Sequence, residues 1–136
     1  MTPELVFSIV NMMVLPQWLL MIVAPKWKGT QWLAKNPIIP GLLVLVYITF
    51  LSAAFGVEGG GFGSLAEVKT LFSVDEAVLA GWVHYLAFDL LIGSWAFKDS
   101  QSKGINHFAL IPCLLFCFMA GPIGWGLYMV LRKMKS

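Results

Sequence analysis

"FALIPCLLFCFMAGPIGWGLYMVL", residues 108–131, carries no charge, and its reading sets the number of membrane crossings in this chain. About 20 apolar residues span a bilayer, so the stretch is long enough to cross once. Pro112 and Pro122 each remove a backbone hydrogen bond, while Gly121, Gly124 and Gly126 allow a neighbouring backbone to come close. Ala120 and Gly124 form a small-xxx-small pair. The stretch therefore reads as a single kinked, closely packed helix, and as the surface through which copies of the chain would associate. Cys113 and Cys117, the only cysteines, lie four apart on one face of it and read as small packing residues.

Working back toward the N-terminus, "GWVHYLAFDLLIGSWAFKDS", residues 81–100, is also apolar enough to cross, yet it holds His84 and Asp89. A span over residues 74–97 is expected, with Ser73 and Glu76 spaced as a capping box at its start. Two further spans are expected over residues 5–23 and 39–55. "SLAEVKTLFS", residues 64–73, alternates apolar and charged positions at helical spacing, the pattern of a short helix lying at the interface. "KDSQSKGINH", residues 98–107, reads as a polar turn. "MTPELVFSIV" lacks the basic segment of a cleaved signal, so the first span is expected to be retained. Its Glu4, Ser8 and Asn11 recur on one helix face, which should point into the bundle.

The whole is 136 residues, 59% hydrophobic and 12% charged, with a mean hydropathy of +0.81. That balance excludes an ordinary soluble domain and leaves no basic footprint for nucleic acid. The expected fold is all-α: a single polytopic membrane four-helix bundle over residues 1–136, with a short interfacial helix in its long loop. Four crossings would place both termini on one side. Lysine and arginine would then divide five against four, with the short loops leaning to the cytoplasm.

A buried charge in a span costs roughly 2.5 to 3.5 kcal/mol on insertion scales, so Asp89 reads first as functional. His84 and Asp89 lie about 140° apart around the helix, and are expected to reach one cavity from its two sides. Tyr85 is placed four residues before Asp89 to donate to it. Three uses compete. The polar groups could be packing devices, with Tyr85, Asn11 or Ser8 holding Asp89 and another polar group holding His84. They could work as acid and base on an apolar substrate, or bind a pigment or lipid without turnover. Glu4, His84, Asp89, Asp99 and His107 show neither HxxxH nor HExxH spacing, so no metal site is expected.

Trp82, His84, Tyr85, Ala87, Asp89, Leu90, Gly93 and Trp95 together resemble the W-x-H-[YF]-x-A-x-D-L-x-x-G-x-W signature of the neoxanthin-synthase-like, or abscisic-acid-deficient-four-like, family of plants and bacteria. The Pro112, Gly121, Pro122 and Gly124 pattern is similar as well. The resemblance implies a four-span protein, here a bacterial relative in an inner or thylakoid-type membrane, that handles a carotenoid. It implies isomerisation of an epoxy-carotenoid to an allene, with no cofactor and no net redox change. Protonated Asp89, or Tyr85 backed by it, would then be the acid and His84 the base. Asn11 would orient the oxygen, and Trp82, Phe88, Trp95 and Trp125 would line a slot for the polyene. The alternative is a non-catalytic pigment- or lipid-binding or membrane-complex assembly protein.

Overall fold

A computed structural model describes residues 1–135, and these form seven α-helices and no strand. Helix α1 (Pro3–Val23) starts as its sequence dictates: Thr2 accepts a hydrogen bond from the Leu5 amide and Pro3 occupies the first turn, where no amide is needed. Helices α2 (Lys28–Lys35) and α3 (Ile38–Ala54) are separated by Asn36 and Pro37 and meet at 44°. Helix α4 (Leu65–Leu71) is the expected interfacial helix, and α5 (Asp75–Ser102) is the longest at 28 residues. α1 and α5 are each long and apolar enough to cross a membrane, and α2 with α3 is long and apolar enough when the bent pair is taken as one span.

The capping box lies one helix earlier than expected. Ser64 Oγ accepts from the Glu67 amide at 3.1 Å and Glu67 Oε2 accepts at 2.8 Å from the amide of Gly63, the residue before the cap, so a variant of the box starts α4. Ser73 instead donates to the Thr70 carbonyl, and Val74 caps α5 with no side-chain bond. The expected turn after residue 97 is still helix. Ser100 and Ser102 return their hydroxyls to the Phe97 and Asp99 carbonyls, and the chain turns only at Gly104, whose φ of 64° suits glycine.

The expected continuous helix over residues 108–131 is instead two antiparallel helices, α6 (His107–Met119) and α7 (Gly121–Lys135), folded back at Ala120. α6 begins beside the end of α1, where His107 Nε2 meets the Ile22 carbonyl at 2.8 Å. It ends beside the middle of α5, where Tyr85 donates to the Met119 carbonyl at 2.8 Å. α7 then returns to the end it left, placing Tyr128 and Arg132 on Asp99. The 13 residues of α6 rise about 20 Å, half the length of α5. This is a hairpin that reaches the middle of α5 and goes back. Gly124 makes it possible: a Cβ there would fall on the backbone nitrogen of Cys117, so the two arms touch backbone to backbone. The small residues expected to receive another helix receive α6 of the same chain.

The buried face of α1 also differs from expectation. Val6, Val10, Val14, Gln17, Trp18 and Met21 face inward, while Glu4 and Ser8 are exposed and Asn11 is half-buried. Helix association in lipid rests on close fit more than on polarity, and a valine ridge fits better. α1 runs parallel to α5, joined by Trp82 Nε1 to Asn11 Oδ1 at 2.8 Å and Gln17 Nε2 to Ser94 Oγ at 2.8 Å. Gly93 leaves room for the Trp18 ring, which also meets Phe118 edge-on at 5.6 Å. Cys113 and Cys117 are buried and free, as packing residues are.

Because the hairpin returns, the termini lie on opposite sides. Eight of the nine lysines and arginines, all but Lys69, then share the side of the C-terminal tail and the Ser102–His107 connection. Glu4, Glu58, Glu67, Asp75 and Glu76 lie on the other. With α2 and α3 taken as one span, eight against one is a strong charge asymmetry between the two sides. Single cysteines replacing Glu58, Lys103 and Lys135 should therefore react with a membrane-impermeant maleimide from opposite sides: the latter two together, the first alone. Labelling of Glu58→Cys and Lys135→Cys from the same side would contradict the hairpin.

Candidate functional site

Asp89 sits midway along α5, about 20 Å from either end of that helix. It is 92% removed from solvent, since its relative exposure is 8%. Its Oδ2 is buried without a hydrogen-bond partner. What covers it is the hairpin tip. A Cβ at Gly121 would collide with Asp89 Oδ1, so glycine is what lets the first turn of α7 close over the carboxyl. A helix start is electropositive, and this one faces a carboxylate from inside the membrane. Pro122 reduces the number of unpaired amides in that turn. At the other arm, Ala120 N donates to the Phe116 carbonyl at 2.6 Å and the Met119 carbonyl takes the Tyr85 hydroxyl. Irregular backbone at membrane depth must be satisfied by protein in this way.

Tyr85 was expected to donate to Asp89 and donates to Met119 instead, because the tip occupies the space between the α5 face and its neighbours. The two residues still share that face. Tyr85 also lines a cavity of about 400 Å³ between α1, α5 and the tip, with Asn11, Val14, Trp82, Leu86 and Phe118. Asn11 and Tyr85 bring the polar groups into an otherwise apolar wall. Trp82 stacks on Tyr85 at 5.8 Å and meets Phe7 at 5.5 Å, so its ring is fixed from two sides as well as by Asn11.

The other candidate residues are placed elsewhere. His84 points to the α3 side, where its ring lies 4.8 Å from Phe88 and 5.7 Å from Tyr47. It lines a second cavity, which does not include Tyr85 or Asn11. Trp95 belongs to the far end of the hairpin, edge-on to Tyr128 at 5.5 Å and under Arg132 at 6.0 Å. Trp125 is exposed on α7. The four aromatics thus do not converge on one slot; Trp82 alone of them is at the Tyr85 cavity. Glu4, His84, Asp89, Asp99 and His107 do not gather into a cluster among the described residues. Sequence reasoning missed the Met119 carbonyl and Phe118, and read Gly121 only as a close-packing residue. The signal was available, since a Gly-Pro break inside an apolar segment is a pointer to a discontinuous helix and a midplane site.

The hairpin is latched where it leaves the membrane. Asp99 Oδ2 accepts from Tyr128 at 2.5 Å and from Arg132 Nε at 2.7 Å, and Asp99 Oδ1 from Arg132 Nη2 at 3.4 Å. Tyr128 is fully buried, so its hydroxyl has no water to turn to. Asp99→Ala should loosen α7 selectively. Hydrogen–deuterium exchange should rise over residues 121–135 and stay unchanged over 3–23; a uniform rise would mean that Asp99 serves the whole fold instead.

An all-helical polytopic membrane protein with its buried acid at mid-depth, under the tip of a re-entrant hairpin, is the class that this fold and site define. Within that class the chain belongs to the ABA DEFICIENT 4-like family, whose pattern it matches over residues 5–128. It is similar to Protein ABA DEFICIENT 4, chloroplastic, of Arabidopsis thaliana, with 26% identity over an alignment of 128 positions that covers 88% of this chain. The chain spans 56% of that relative's length. No solved structure matches it.

Proposed function

We propose that the protein handles a carotenoid within the membrane and isomerises an epoxy end group of it without a cofactor. The observation that carries this reading is the pairing, at the bilayer midplane, of a cavity-lining phenol, Tyr85, with an unpartnered buried carboxyl one turn away, Asp89. Family membership and the resemblance of the residues from Trp82 to Trp95 support the substrate class. The cavity of about 400 Å³ is of a size to take an end ring, leaving the polyene to run out among lipid chains.

In this arrangement the epoxide oxygen lies between Asn11 and Tyr85. The Tyr85 hydroxyl protonates the oxygen as the C–O bond breaks, and the adjacent vinylic carbon loses a proton to Asp89. The proton count is unchanged and no electrons leave the substrate. Transfer from Asp89 back to Tyr85 resets the pair. Asp89 reaches the cavity when the tip lifts about Ala120 and Gly121. His84, on the opposite side of α5, takes no part in this arrangement.

One observation favours a second reading, a non-catalytic pigment- or lipid-binding or assembly role: Asp89 itself does not line the cavity, and its carboxyl could serve only to hold the start of α7. Purified protein reconstituted in liposomes with an epoxy-carotenoid separates the two. An allenic product of unchanged mass supports the isomerase; stable binding with no product over many hours supports the second reading. Neither binding nor product would set aside the isomerase and the pigment-binding role and leave assembly.

A further inference from the structure

A second cavity, of about 300 Å³, lies on the α3 side of α5 under the interfacial helix α4. Leu51, Phe62, Phe72 and Ala80 contribute to its apolar wall. Gly81 shapes that wall, since a Cβ there would approach Phe72 Cε1 to 2.8 Å. Two polar side chains reach it, His84 and Tyr47. His84 lies about 14 Å along α5 from its start, and its side chain is partly open on the outer side of that helix. Among the described residues, neither the His84 ring nor the Tyr47 hydroxyl makes a hydrogen bond. Polar groups at such depth normally pair with one another or with a ligand. No carboxylate, lysine or arginine lines the cavity.

We infer that this cavity is a binding site for a neutral amphiphile, an apolar chain or ring ending in a hydroxyl or carbonyl that hydrogen-bonds His84 and Tyr47. The apolar body restores the contacts that the void forfeits, and the head group supplies what the two side chains lack. A charged head group would find no counter-ion. The imidazole can donate or accept, so either an alcohol or a carbonyl satisfies it. The site stands apart from the Tyr85 cavity, with α5 between them.

The chain holds two histidines, which makes the test direct. Protein labelled with 15N at the histidine rings, in phosphatidylcholine nanodiscs, is titrated with 1-dodecanol and, separately, with dodecane at equal mole fraction in the lipid. Dodecanol should shift the His84 signals saturably and leave those of His107, bonded to the Ile22 carbonyl, in place. Dodecane should not. Tyr47→Phe should weaken dodecanol binding roughly fivefold, the loss of one neutral hydrogen bond. Ala80→Trp, or Leu51→Trp where the first does not fold, should fill the void and abolish the shift. Equal shifts with dodecane, a shift that never saturates, or one that survives either tryptophan overturns the inference.

Discussion

Gly124→Ala destabilises the protein by about 3 kcal/mol, as an added methyl does when neither side can yield. The added Cβ meets the nitrogen and Cα of Cys117, which are backbone atoms in the last turn of α6. They can move only if the end of the arm, and with it the tip, moves. The hairpin arms separate, Tyr128 is drawn away from Asp99, and the tip no longer seats on Tyr85. The neighbouring glycines give the control. At Gly126 a Cβ would meet nothing within 4 Å, so Gly126→Ala is neutral or stabilising by under about 1 kcal/mol. At Gly121 the obstacle is the far end of the Asp89 side chain, which can rotate. Gly121→Ala therefore costs less, about 1 kcal/mol, and acts mainly by displacing the carboxyl. Unfolding in mixed micelles with increasing dodecyl sulfate ranks the three. Equal effects of Gly124→Ala and Gly126→Ala would show that the close approach is not what holds the hairpin.

The sequence made some of this legible and hid the rest for physical reasons. α1 and α5 were readable because a long apolar run has no stable state in lipid other than helix, and α4 because its apolar and charged positions alternate at helical spacing. The presence of an acid at mid-depth was readable from Asp89 alone. The hairpin was not, because helical periodicity says nothing of whether the chain continues or returns after Ala120. Return is decided by contacts distant in sequence: Gly124 against Cys117, Tyr85 on the Met119 carbonyl and Asp99 on Arg132. The same holds for the capping boxes. Ser64 with Glu67 and Ser73 with Glu76 have the same spacing, and only packing around α4 selects the first. α2 escaped because lysines with tryptophans read equally as membrane flanks. His84 and Asp89 were read as partners on the strength of shared depth, but the 140° between them sends one to α3 and the other to the tip.

Asp89→Asn should abolish isomerisation, by a factor of about 10² to 10⁴, while leaving the fold and carotenoid binding intact. The amide is nearly the same shape as the carboxyl, so it still fits beneath Gly121. It lacks the basicity to take a proton from carbon and carries no charge to favour the start of α7. If Asp89 only seats the hairpin, the amide oxygen does so almost as well, and function should persist with a small loss of stability. Tyr85→Phe divides the possibilities further. It removes the phenol that would protonate the oxygen and also the bond to the Met119 carbonyl, so it should lower both turnover and stability. Asp89→Asn should lower turnover with at most a small loss of stability. The two effects are not additive if the residues pass one proton between them: the double variant should be little worse than the more damaged single one. Full activity in Asp89→Asn, with product measured by chromatography after reconstitution, would remove the carboxyl from the chemistry and leave it as the seat of the hairpin tip.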